Sequence, residues 1–282
     1  MAPRKRDAAH AAGEREQLAL FRALPGDMRP RDAQDLMAYP FFSLGKSRRV
    51  APIAFEAGEV RILVEGVAEH GIATIWDADI LIWAASQIVA ARDVGLPTSR
   101  LMSATPREIL TYTGRGTSRH DYLRLRAAFD RLQSTTVATS LRQGANRRLH
   151  RFSWINEWQE TSRPDGRASG IELILPDWFY RGVLDDALVL GIDTRYFQLT
   201  GGIERWLYRL VRKHGGSQRM GWMFELRHLH AKSGSLARYS DFALDIRRLA
   251  QRQTLPGYRL RIARAGGVEK LFFYRQPGAP AP

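Results

Sequence analysis

The chain has 282 residues, enough for about two ordinary domains; with 44% hydrophobic residues, 24 Gly and 13 Pro it is neither a disordered nor a collagen-like chain. Cysteine is absent, which excludes a disulfide framework, a thiolate nucleophile and a cysteine zinc site, and fits a reducing cytoplasm. Lys and Arg number 43 against 29 Asp and Glu, a net charge of +14 that favours polyanionic partners.

Only five of the cations are Lys; the other 38 are Arg, the side chain that forks onto phosphate and guanine edges. A GC-rich genome would enrich Arg evenly, but here the excess is local. Residues 201–282 carry 16 basic and 5 acidic residues, and residues 1–200 carry 27 and 24. The C-terminal third is therefore the expected polyanion-binding module. No apolar run reaches the roughly 18 residues of a membrane span, and MAPRKRDAAH leads into charge instead of an apolar signal core. A cytoplasmic protein with no membrane contact is expected.

Residues 1–35, rich in Ala, Arg and acid and broken by Pro25-Gly26 and Pro30, read as a flexible tail with one short helix at Glu14–Leu24. After Leu36–Arg49, the β-type runs Val60–Val67 and Ile72–Trp76 flank Glu69-His70-Gly71, a hairpin signal. A helix follows from Asp77 or Asp79, with Ile80, Trp83, Ala84, Ile88 and Ala91 on one face. Thr105-Pro106 then opens a short helix, Arg107–Tyr112, that stops at Gly114. Ser118 caps a longer helix with Tyr122, Leu125, Phe129 and Leu132 as its buried stripe. Thr135–Leu141 and Leu149–Trp158 read as a hairpin around the basic turn Arg142–Arg148, and Ile171–Leu175 as a further strand after the Ser162–Gly170 loop.

The same order returns near the C-terminus. A helix containing Ile203, Trp206, Leu207, Leu210 and Val211 ends at Gly215-Gly216. A short helix, Phe224–Lys232, stops at Gly234, and a longer one runs from about Arg238 to Gln253 with Phe242, Ile246 and Leu249 inside. Strands Tyr258–Ala263 and Val268–Tyr274 flank the turn Arg264–Gly267. Gly114 and Gly234 are 120 residues apart, as are Tyr122 and Phe242, while Trp83 and Trp206 are 123 apart. Helix, short helix, turn, longer helix and hairpin is the order of a winged helix-turn-helix, whose third helix enters the major groove while its wing touches the backbone. The predicted fold class is thus α+β: two tandem winged helix-turn-helix domains, 36–190 for DNA contact or dimerisation and 191–276 for the main DNA binding, with tails at 1–35 and 277–282. The segment Leu184–Leu199 is the expected joint between them.

Two motifs suggest other chemistry and fail on context. Pro40–Ser47 reads P-F-F-S-L-G-K-S, a phosphate-loop pattern with Pro40 in place of its first glycine and Pro52 where a helix should follow. His228-Leu229-His230 matches the paired histidines of rolling-circle nicking initiators, with Tyr239 and Tyr258 as possible nucleophiles. Such histidines belong on a strand, where alternate side chains share a face; on a helix they point about 200° apart. No catalytic residue, metal site or cofactor is expected.

Double-stranded DNA is the expected partner. On the long C-terminal helix the outward face holds Ser240, Leu244, Arg247, Arg248 and Gln251, flanked by Arg252, and Arg247, Arg248 and Gln251 are types that read base edges. Arg238 at the helix start and Arg259, Arg261, Arg264 and Lys270 on the wing are candidate backbone contacts. Gly266-Gly267 permits close approach to the duplex, and Asp241 and Asp245 oppose a purely electrostatic grip. In the N-terminal copy His120, Arg124 and Arg131 lie outward, with Arg142, Arg147, Arg148 and Arg151 on its expected wing, while Arg126 falls close to the apolar stripe. That copy is nearly charge-balanced, so weak DNA binding and dimerisation both remain open for it, and Ile171–Leu175 is available to extend a sheet toward a second protomer.

Three stretches resemble the plasmid replication initiator protein A family: Asp35–Arg49 (DLMAYPFFSLGKSRR), Thr74–Ile80 (TIWDADI) and Leu199–Tyr208 (LTGGIERWLY). They occur in the family's order, and the resemblance runs from about residue 35 to 275. It implies a pair of winged-helix domains that bind direct repeats, or iterons, in a plasmid origin, open nearby DNA and recruit the host initiator and helicase, with a homodimer competing. The alternatives are a tandem winged-helix transcriptional repressor, which can also be autoregulatory, and a nicking initiator. Several direct repeats beside an AT-rich tract in the flanking DNA would favour the origin, and one inverted repeat over a promoter the repressor.

Overall fold

In the computed structural model, which describes residues 15–143, 149–162, 168–216, 218 and 221–278, the helix starts follow their capping residues. Thr105 accepts from the Glu108 amide while the Glu108 carboxylate accepts from the Thr105 amide, and Pro106 fills the first helical position. Ser118 and Asp121 repeat this reciprocal pair on the next helix. The helices that build the two halves are α1 (Gln34–Ala38), α2 (Ala78–Asp93), α3 (Pro106–Tyr112), α4 (Arg119–Ser134), α5 (Asp177–Leu184), α6 (Gly202–Gly215), α7 (Leu226–Ser233) and α8 (Tyr239–Arg252). Gly114 ends the stretch after α3 at φ 66° and Gly234 caps α7 at φ 61°, the left-handed region that glycine enters without steric cost.

The strands are β1 (Phe21–Arg22), β2 (Arg31–Ala33), β3 (Ile53–Ala57), β4 (Val60–Glu65), β5 (Leu101–Ala104), β6 (Thr136–Thr139), β7 (His150–Ser153), β8 (Glu157–Ser162), β9 (Ala168–Ile174), β10 (Val189–Gly191), β11 (Trp222–Glu225), β12 (Tyr258–Ala265) and β13 (Val268–Arg275). They pair in the orders β1-β5-β9-β8, β10-β2, β3-β4-β6-β7 and β11-β13-β12. The molecule is thus a mixed α+β protein in which one arrangement occurs twice. After α2, β5, α3 and α4, the antiparallel pair β8–β9 returns so that β9 lies against β5. After α6, β11, α7 and α8, the pair β12–β13 returns so that β13 lies against β11.

The sheet pairing corrects four local expectations. The first hairpin is β3–β4, turning at Gly58, because Ile53, Phe55, Ile62 and Val64 alternate inward; Ile72–Trp76 crosses instead as a buried segment with one bridge, Ser43 to Thr74. The run Leu149–Trp158 is split by the buried Trp154 and Ile155, which turn the chain from the β3-β4-β6-β7 sheet into the β1-β5-β9-β8 sheet. The hairpin equivalent to β12–β13 is consequently β8–β9, and β6–β7 belongs to another sheet. Phe224 lies on β11 and not on the short helix, packing on Phe273 and His214.

Residues 15–35 are also part of the fold and not a tail. Phe21 is buried, β1 runs parallel to β5, and the backbone amides of Leu24 and Arg31 donate to the Gln87 and Ser86 side chains of α2. Short unperiodic runs give no sequence signal for such docking. Residues 31–33 pair with Val189–Gly191, so the expected joint Leu184–Leu199 is itself anchored on this segment.

Two hydrophobic clusters form around the two repeats, and the second takes in Met37 and Ile82 from the first half of the chain. Between them lie two buried ion pairs. Arg209 of α6 donates to Asp32 at 2.7 and 2.9 Å, and Arg205, one turn earlier, donates to Asp79 at 2.7 and 2.9 Å. Arg115, from the turn between α3 and α4, donates to the same Asp79 at 3.1 Å. At the far side of α7, Lys232 is buried against the Tyr39 and Phe55 rings, and burial lowers its pKa to about 8.

Two measurements test this packing. Asp32→Ala or Arg209→Ala leaves a buried charge unpaired and is expected to cost about 3–5 kcal/mol in urea unfolding, whereas Asp32→Leu with Arg209→Met is expected to cost much less. His214 packs on Phe224 and Trp222, and burial first, then Lys213, Lys232 and His228, lowers its pKa to about 4. The unfolded imidazole takes its proton near pH 6.5 and the folded one only near 4, so stability is lost as pH falls through that window. His214→Phe is expected to flatten this part of the melting-temperature profile between pH 7 and 4.

Candidate nucleic-acid interface

The face of α8 turned from the core presents Arg238 at its start and then Ser240, Leu244, Arg248, Gln251 and Arg252, all exposed. Phe242, Ile246 and Leu249 bury the opposite stripe, a 3–4 spacing that holds the outward residues in one row. Arg248 makes a 3.5 Å contact with Asp245 one turn before it, an exposed pair that leaves its guanidinium available. Leu244 is 42% exposed, an apolar side chain of the kind that contacts a thymine methyl.

Arg247 is placed differently from its sequence expectation. It donates to both oxygens of Glu269 on β13, at 2.8 and 2.6 Å, and so ties the long helix to the β12–β13 hairpin. The Arg247 bond holds the Glu269 carboxyl below its usual range, and Glu269 in turn raises the Arg247 guanidinium. Arg247 is thus held in an ion pair, where helix phase alone left it free.

Strand alternation divides the expected wing cations between two faces. Arg264 pairs in register with Glu269 and shares the helix side, beside Arg247. Arg259 and Arg261 lie on the reverse side opposite Tyr274 and Phe272, and Arg261 stacks over the Phe272 ring. Lys270 shares that reverse side, is 20% exposed and sits 3.9 Å from Glu225, so it is not on the helix side either. The tip of the β12–β13 hairpin is the pair Gly266-Gly267, with φ of 61° and 78°, the two positive values of a tight hairpin turn.

In the first repeat, Arg119, His120, Leu123 and Arg124 form the exposed start of α4. Arg119 and Leu123 carry no motif that would single them out in sequence; helix phase relative to the capping Ser118 is the signal that identifies them. Two other expected residues belong to the fold. Arg131 donates to both oxygens of the buried Asp77, at 2.7 and 2.8 Å. Arg142 donates to Asp35 and to the Trp178 carbonyl, with its guanidinium 4.1 Å above the Trp178 ring. Arg151 is exposed, 3.9 Å from Glu65. Arg147 and Arg148 lie outside the described residues. Arg126 points outward to Glu160 of β8 at 3.2 Å, a helix-to-hairpin contact like that of Arg247.

The helical pair His228 and His230 does not converge. The His228 ring stacks on Phe224, while His230 packs against Tyr239 and Phe242 with its Nε2 2.8 Å from the Ala237 carbonyl oxygen. No described helix is long and apolar enough to cross a membrane.

Residues 31–260 match the family model of replication initiator protein A. The chain belongs to that family. It is also 31% identical over 232 residues to a protein of Wigglesworthia glossinidia brevipalpis named "Putative replication protein", covering 80% of this chain and 82% of that one. Its fold is similar to crystal structures of domains 2 and 3 of RctB, with TM-scores of 0.61 and 0.58, each at 16% identity. Those matches cover 85% and 86% of this initiator and 97% of each RctB chain.

The division between bracing and outward arginines can be measured on the initiator itself. Arg131→Ala strands the buried Asp77 and is expected to lose about 3 kcal/mol of stability, whereas Arg124→Ala on the same helix is expected to lose under about 0.5. Urea denaturation of the two variants is the check.

Proposed function

We propose that this initiator binds direct repeats of a plasmid origin as double-stranded DNA through two winged helix-turn-helix units. On this reading α8 lies in one major groove and α4 in another, and the bound protein promotes opening of adjacent DNA and recruits the host initiator and helicase. The observation that carries the reading is the exposed row Arg248, Gln251 and Arg252 on α8, set on a repeat unit whose strand order β11-β13-β12 matches β5-β9-β8. Gln pairs with adenine and Arg with guanine in the major groove, and Arg238 at the helix start suits a phosphate. Arg264 beside the glycine turn suits the backbone next to the groove. Arg247, fixed by Glu269, sets the angle of wing to helix.

The C-terminal unit supplies most of the affinity on this proposal, since the basic excess resides there. The N-terminal unit adds a second, weaker contact through His120 and Arg124, and its β8–β9 hairpin takes the place of a wing. A protein that dimerises through the N-terminal unit is a second form of the same proposal. The role is one of binding, with no strand-nicking step, because the two histidines of the nicking pattern face different neighbours.

The experiment is a comparison of duplexes. Gln251→Ala and Arg252→Ala are expected to lose about 1–3 kcal/mol on the cognate repeat and little on random DNA, while Arg264→Ala weakens both alike. Equal losses on both duplexes for all three variants would remove α8 from the major groove.

A further inference from the structure

The P-F-F-S-L-G-K-S run has no use in the interface described above. Pro40 to Ser43 are buried, and Ser43 exchanges backbone bonds with Ala73 and Ile75, so the chain there is a core segment. The next residues emerge. Leu44 lines a cleft with Gly201, Gly202, Glu204, Arg248 and Arg252, at the foot of α8. Lys46, Ser47 and Arg48 line a neighbouring cleft of about 570 Å³ with Arg115, Gly116 and Arg124, at the start of α4. Five consecutive residues therefore run from one candidate reading helix to the other.

We propose that Gly45–Arg48 is a third DNA-contacting element, which holds the phosphates of the stretch of duplex lying between the two major-groove contacts. The inference rests on the duplex-binding reading and adds a site to it. A rod read in two grooves by two helices carries backbone past whatever surface joins them, and here that surface is a loop bearing two cations.

Its charge is available. Among the described residues, Lys46 has as partner only the Trp76 ring, 5.3 Å from its Nζ, and Arg48 donates to a carbonyl, that of Glu69 at 3.0 Å. The carboxylates that line the same cleft are engaged elsewhere, Asp77 by Arg131 and Asp121 by the Ser118 cap. At the other cleft Glu204 caps Gly201 and bonds Thr254, and Asp245 faces Arg248.

Its position is fixed as well. A Cβ on Gly202 would stand 1.9 Å from the Leu44 carbonyl oxygen, and one on Gly71, at φ 74°, would stand 2.6 Å from Arg48 Cγ. Glycine at these two sites lets α6 and the Glu69–Gly71 turn close on the loop from either end. A loop held in this way loses little entropy on meeting a phosphate.

The test uses the full chain with Lys46→Ala plus Arg48→Ala, and as a charge-preserving control Lys46→Arg plus Arg48→Lys. The alanine pair is expected to bind repeat and random duplex about ten- to a hundredfold more weakly at 0.1 M salt, with the slope of log K against log salt reduced by about 2. Discrimination between the duplexes and the melting temperature are expected to stay unchanged, and the control to bind as wild type. Ethylation interference is expected to lose the phosphates between the two groove footprints. An unaltered salt slope in the folded alanine variant overturns the inference; if Gln251→Ala still lowers discrimination in the same assay, the duplex-binding reading survives it. A fluorescent ATP analogue bound through Lys46, with duplex binding unaffected by the alanine pair, would make the loop a mononucleotide site and also overturn it. A wild-type chain that binds neither duplex removes both.

Discussion

The carboxylate of Asp79 is the point on which the arrangement of the two repeats depends. It sits in the first turn of α2 and accepts from Arg205 of α6 and from Arg115 in the turn between α3 and α4. One buried carboxylate thereby holds the first helix of the second repeat and the turn between α3 and α4 of the first. Arg209 lies one turn beyond Arg205 on the same face of α6 and meets Asp32, which extends the joint by 5 to 6 Å of helix. Burial raises both carboxyls above the usual carboxylate range, and the facing guanidiniums oppose that rise. A hydrophobic seam of the same area would accept several angles between the repeats. The forked Arg209–Asp32 pair, two nitrogens on two carboxylate oxygens, is far more selective for one angle.

Arginine in this chain therefore does two jobs that composition cannot separate. Arg131, Arg142, Arg205, Arg209 and Arg247 are held in bonds to carboxylates, three of them buried or nearly so on the carboxylate side. Arg238, Arg248, Arg252, Arg259 and Arg264 stand exposed. The difference is not in residue type or helix phase alone. Arg247 and Arg248 are neighbours on one helix, and what separates them is Glu269, brought from 22 residues away by the β12–β13 hairpin.

The same contrast explains what was legible before the structure. Capping boxes at Thr105 and Ser118, the glycines at Gly114 and Gly234 and the apolar stripes of α4 and α8 are local signals, and each repeat could be recognised from them. Strand partners are not local. Thr135–Leu141 and Leu149–Trp158 do supply the neighbouring strands β6 and β7, yet it is β9, further along, that returns against β5, because the inward residues Ile171 and Leu173 complete the core there. The docking of Phe21 and Asp32 was hidden for a related reason: each is buried within a short run that has no period.

A joint of this stiffness bears on how two weak contacts become one strong one. When two binding units share a chain, the second contact forms at an effective concentration set by the geometry between them, and a joint that already holds the correct spacing loses least on binding. Residues 31–33 and 189–191 form a two-stranded clasp beside the Arg209 pair, Lys232 and Arg49 fasten the end of α7 to the first repeat, and Gly202 admits Leu44 against α6. These contacts come from four separate parts of the chain. All of them constrain the same degree of freedom, the rotation of α8 relative to α4. If both helices read one duplex, that rotation fixes the helical phase of the DNA segments they read. Specificity then comes from two sources: the side chains on α8, and the spacing that buried arginines impose without touching a base.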